Sequence, residues 1–218
     1  MPCTPDRSLL FIHIPKTGGS SIEKALGIDG PWQIENKEIL FGLIQSPDLL
    51  IKNWKSAFLQ HLTWQEIQQN WDFGGALCFT AVRNPWARFA SVYTNTDTHL
   101  KQTAAAVGIN LENLEFDQFV EITNGFEHAH LASQFSYIHS SNYQNKEIRI
   151  LHTENLENEF QQITKHLGKF VALPWVHTSK QKIPFQQLYS EASWRIIAER
   201  YAEDIEVFGY ADKLHFLN

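Results

Sequence analysis

Three short apolar runs punctuate the chain. Ser8 to Ile14 is almost continuous in Leu, Phe and Ile and stops at Pro15, Leu77 to Val82 repeats the pattern and stops before Arg83-Asn84-Pro85, and Ile148 to Leu151 makes a third. The first two, too short for buried helices, predict strands buried on both faces, and Ile148-Arg149-Ile150-Leu151 predicts a third strand. Ser56 to Leu62 is a candidate fourth strand. Between the runs the period changes to that of a helix. Ser20 to Leu26 puts Ile22, Ala25 and Leu26 on one face with Gly27 as the stop, and Pro85 to about Thr94 opens with Asn84 as cap and proline at the first helical position. Thr153 is placed to cap a helix in which Leu156, Phe160, Ile163 and Leu167 recur at helical spacing until Gly168. Trp194, Ile197, Ala198, Tyr201, Ile205 and Phe208 form the stripe of a last long helix.

Strands alternating with helices predict an α/β fold of three layers, a central parallel sheet flanked by helices, with ligands bound at the carboxyl ends of the strands. The stretch of about 96–146 is polar, helical and weakly patterned, which predicts a helical lid insertion rather than a second domain. A length of 218 residues fits a single domain over 1–218 with such an elaboration, given roughly 150 residues per domain. Cys3 and Cys78 are too few for a disulfide framework, and the histidines fall in no HExxH frame, so no metal is expected. The run from Leu9 to Ile14 is interrupted by His13 and is shorter than a signal-peptide core, and nothing approaches the ~20 apolar residues of a spanning helix. The expectation is a cytoplasmic protein without a membrane span. A net charge of −6 argues against nucleic acid as a partner, so any anion must be met by a local cluster.

Two loops supply such clusters. In Ile14-Pro15-Lys16-Thr17-Gly18-Gly19-Ser20-Ser21 a strand runs through adjacent glycines straight into a helix. Main-chain N–H groups and a helix N-terminus then converge on one point, and Lys16, Thr17, Ser20 and Ser21 add donors: an anion cradle of phosphate size. It is not a Walker loop, because Lys16 precedes both glycines, and no GxGxxG occurs. A plain strand-to-helix turn with a solvated lysine is the alternative. In the second loop Arg83 stands beside the start of the next helix, on which Asn84, Arg88 and Ser91 are expected to share a polar face, with Trp86, Phe89, Ala90 and Tyr93 toward the core. Arginine suits a second phosphate because its planar fork makes paired charge-assisted bonds.

Together the loops resemble those of the sulfotransferases that use 3′-phosphoadenosine 5′-phosphosulfate (PAPS), especially the carbohydrate-type branch with its Pro-Lys-Thr-Gly-Gly loop. The resemblance implies a P-loop-like fold in which Lys16, Thr17, Gly18, Gly19, Ser20 and Ser21 hold the 5′-phosphosulfate. It also implies that Arg83 and Ser91, eight residues apart, hold the 3′-phosphate. Tyr201 to Tyr210 looks like the family's closing helix, and Glu154-Asn155-Leu156 resembles a segment before its late helix. The implied activity is sulfuryl transfer from PAPS to a hydroxyl of a carbohydrate or small polar metabolite, without a metal. Lys16 would neutralise the leaving group. His61 is the candidate base, ahead of a helix with Thr63 and Glu66 at capping-box spacing, though some relatives have a His-x-His pair there and this chain has Gln60 directly before a lone His61. A structural role for His61 stays open. By the same resemblance His130 and Gln134 are candidate acceptor contacts, and the segment from His177 to Lys182 is similar to a loop that closes over the nucleotide. A nucleotide-binding module without catalysis and a P-loop-like small-molecule kinase are the alternatives; the kinase lacks the Walker lysine.

Overall fold

The structure is a computed structural model that describes residues 1–44, 58–139, 148–168, 170–174 and 184–211. In chain order its elements are β1 (Leu9–Ile12), α1 (Gly19–Leu26), α2 (Trp64–Asn70), β2 (Leu77–Val82), α3 (Pro85–Thr94), α4 (Thr98–Ala106), α5 (Phe116–Ile122), α6 (Phe135–Ile138), β3 (Ile148–His152), α7 (Leu156–His166), α8 (Glu191–Arg200) and α9 (Ala202–Val207). The three predicted strands form one parallel sheet in the order β1-β2-β3, and with its helices this is an α/β fold. Ile12 pairs with Thr80 and Val82 with His152, so all three strands end at the same edge of the sheet.

The chain divides into two compact units, Met1–Val82 with Ser136–His177, and Arg83–Phe135 with Thr178–Asn218. The second unit begins directly after β2 and takes in the C-terminal helices. Arg200 shows why those helices belong with it. Its guanidinium donates to the carbonyls of Thr123, Phe126 and Leu131, and the Tyr201 hydroxyl also donates to Leu131.

In the first unit one face of the sheet presents Leu9, Phe11, Phe79, Ala81 and Leu151 to Ile22 of α1 and to Phe160 and Ile163 of α7. The other face, Leu10, Ile12, Cys78, Thr80 and Val82, is equally closed to water, which is why β1 and β2 read as nearly continuous apolar runs, whereas β3 is half-buried and its Arg149 is exposed. In the second unit Trp86 of α3 stacks on Trp194 of α8 at 4.5 Å, and its indole N–H donates to the Trp194 carbonyl at 3.0 Å.

Three expectations are corrected. Ser56 and Ala57 lie outside the described residues, and the rest of the proposed fourth strand is an isolated bridge at Phe58 followed by a 3₁₀ turn, Leu59–His61. The turn is held because Leu59 N–H donates to Gly42 O while Gln60 Oε1 accepts from Gly42 N–H. The last long helix is two, α8 and α9, interrupted at Tyr201 (φ −116°, ψ 30°). Thr153 does not cap α7; its hydroxyl lies 2.8 Å from Thr17 O and 2.9 Å from Val82 O, leaving α7 to begin after Asn155. Among the described residues no helix is long and apolar enough to cross a membrane.

Candidate active site

The first loop is held open by its own backbone. Lys16 (φ 72°) and Gly18 (φ 88°) both lie in the left-handed region. For the lysine this costs on the order of 1–2 kcal/mol, which the surrounding contacts must offset. They do so from inside. The Thr17 hydroxyl, fully buried, donates to Ile14 O at 2.8 Å, and Thr153 reaches Thr17 O from the end of β3. Thr17 therefore braces the turn with its side chain, and what it can offer an anion is its main-chain N–H. Gly18 is the N-cap of α1 and no side chain caps that helix, while Ser21 N–H donates back to Gly18 O at 3.1 Å. Lys16, Ser20 and Ser21 are half-buried around it.

Gly19 is required by a neighbour. A Cβ there would lie 2.2 Å from the His13 imidazole. That ring cannot step aside, because His13 Nδ1 is 2.5 Å from Glu23 Oε1 and both side chains are buried. The pair was not singled out from the sequence, although Glu23 next to Ile22 on the buried stripe of α1 is a signal that a partner was needed.

His61 sits against this same corner. Its ring meets the His13 ring edge-on at 4.7 Å, and its Nδ1 is 3.3 Å from the His13 carbonyl oxygen. A carbonyl can only accept, so Nδ1 carries the proton and Nε2 is the basic nitrogen. Behind it the capping box is formed: Thr63 Oγ1 accepts from Glu66 N–H at 3.3 Å and Glu66 Oε2 accepts from Thr63 N–H at 2.8 Å, fixing the start of α2. The first unit thus brings His61 together with the loop of Lys16 to Ser21.

The second unit holds Arg83, Ser91, His130 and Gln134. Arg83 is half-buried between β2 and the Asn84 cap, whose Oδ1 accepts from Ala87 N–H at 3.1 Å. Ser91 is half-buried two turns along α3. Arg88 departs from the expected polar face: it is only 2% exposed, donates to His130 O and lies 5.8 Å over the Tyr201 ring. His130 Nδ1 is 2.9 Å from Asp97 Oδ2. Gln134 is fully buried with its amide against the main chain of Arg83, an interior position rather than a surface one. The segment from His177 to Lys182 lies outside the described residues.

A lysine with an uncapped helix N-terminus stands after β1, and an arginine with a serine stands after β2. Both loops leave the sheet at its carboxyl edge. No curated protein and no solved structure matches the chain. The model of the sulfotransferase family matches residues 2–211, a span that takes in both loops, the sheet and the C-terminal helices, and the chain belongs to that family.

Proposed function

We propose that this sulfotransferase takes its sulfuryl group from PAPS and delivers it to a hydroxyl of a carbohydrate or small polar metabolite. The observation that carries the reading is the first loop, a strained lysine and two glycines opening an uncapped helix, a shape and charge suited to a phosphosulfate. Bound PAPS supplies an activated sulfur–oxygen bond, broken as the acceptor oxygen attacks sulfur, with adenosine 3′,5′-bisphosphate leaving. Lys16 and the N–H groups of the loop hold the bridging region and neutralise the charge that builds on the leaving phosphate. Arg83 and Ser91 grip the 3′-phosphate. His61 Nε2 takes the acceptor proton, with Nδ1 fixed on the His13 carbonyl. Lysine and arginine supply the positive charge, so the scheme calls for no metal ion. His130, beside Asp97, is the candidate contact for the acceptor.

Calorimetric titration tests this directly. Adenosine 3′,5′-bisphosphate should bind far more tightly than ADP or ATP, and radiolabelled sulfate from PAPS should appear on a hydroxyl acceptor. Equal or tighter binding of ATP with magnesium would favour a kinase and defeat the proposal.

A further inference from the structure

Arg83 is reached by a buried chain of hydrogen bonds that no step of the transfer uses. Gln134 Oε1 accepts from Arg83 N–H at 2.8 Å, and Gln134 Nε2 donates to Arg83 O at 2.9 Å. One side-chain amide thus pairs with both main-chain groups of one residue, as a neighbouring strand would. The main chain of Gln134 is fixed in turn. Its N–H donates to Asp204 Oδ2 at 2.8 Å, and the next N–H, of Phe135, donates to Asp204 Oδ1 at 2.8 Å. Gln134 and Asp204 are both fully buried. Burial pushes the Asp204 carboxyl above the ordinary carboxylate range, and the charge of Arg88 draws it back.

A buried carboxylate is costly unless its oxygens are used, and here both are spent on holding Gln134 and its neighbour. The beneficiary is Arg83, which lies between the end of β2 and the cap of α3. A guanidinium on a long side chain can select a phosphate position only if its Cα is fixed.

We infer that Gln134, locked by Asp204, is a positioning residue that sets Arg83 for the 3′-phosphate; the inference rests on the reading of Arg83 as the ligand of that group. It gives Gln134 a part in nucleotide selection, through Arg83, in place of direct contact with the acceptor.

The test compares affinities for adenosine 3′,5′-bisphosphate and adenosine 5′-phosphate in the full chain and in Arg83→Ala, Gln134→Met and Gln134→Glu. Wild type should prefer the bisphosphate and Arg83→Ala should lose the preference. Gln134→Met should cut the preference by about tenfold, the scale of one misplaced charge-assisted contact, while its affinity for adenosine 5′-phosphate holds. Gln134→Glu keeps an acceptor for Arg83 N–H and should fall between. An unchanged preference in Gln134→Met, or an equal loss for both nucleotides, overturns the positioning role alone. If the methionine variant does not fold, an unchanged preference in Gln134→Glu overturns it. A wild type with no preference for the 3′-phosphate defeats the assignment of Arg83 and the positioning role together.

Discussion

At the scale of single residues, the corner formed by His13, Gly19, Glu23 and His61 is tightly constrained. Gly19→Ala would drive a Cβ to 2.2 Å from the His13 ring. Overpacking of this kind should destabilise the fold by about 1–3 kcal/mol, read as a lowered denaturant midpoint, and should weaken adenosine bisphosphate binding as the loop shifts. His61→Ala should leave the melt and the nucleotide affinity near wild type but lower turnover by about 10² to 10⁴, the worth of a general base. Turnover that stays near normal would make His61 structural. His61 was expected at a strand end and lies in a 3₁₀ turn, but the loop motif was legible in the chain because its residue types follow an apolar run. The tautomer of His61 was not, since it is fixed by the His13 carbonyl, 48 residues away in sequence.

The elements were mostly legible, and where they were not, a long-range contact explains the departure. α3 runs over the predicted Pro85–Thr94, with Asn84 as cap. Arg88, by contrast, was assigned to a polar face from its spacing alone, and it is buried because the His130 carbonyl and the Tyr201 ring receive it. The helix α4 and the loop after α5 carry a titrating group of their own. His128 Nδ1 accepts from His130 N–H at 3.1 Å, so its proton is on Nε2, 3.0 Å from His99 Nδ1, which accepts it. Burial, with His130 and His99 nearby, holds the His128 pKa down at about 4 against an ordinary 6.5, although Asp97 pulls upward. The unfolded chain therefore binds this proton first: the stability it confers is complete above about pH 6.5 and is lost as pH falls toward about 4. The loss should be at most about 3 kcal/mol, less what solvent screening at this half-buried ring removes. Denaturation of wild type and of His128→Gln from pH 7 to pH 4 should show the shallower decline in the variant; parallel curves would contradict it.

At the scale of the whole molecule, a net charge of −6 with 18 basic residues weighs against a polyanionic acceptor. Arg88 and Arg200 are turned to interior carbonyls and add nothing to a polyanion track. Transfer of radiolabelled sulfate should be faster to small uncharged sugars than to a sulfated polysaccharide, and the reverse order would point to a basic surface that composition does not suggest. By itself the sequence determined the three strands, most of their helices, the parallel α/β class and the two strand-to-helix loops. These are local matters: run length, helical period, caps and turn glycines act within a few residues, and the loops come at strand ends because the runs stop there. Only the tertiary structure decided that Thr153 straps the first loop instead of capping a helix and that the last helix breaks at Tyr201. It also decided that Gln134 and Asp204 spend their polar groups on Arg83 and its support. The partners in each case lie far apart in sequence, and a buried donor or acceptor declares that it needs a partner without declaring which one the fold will bring.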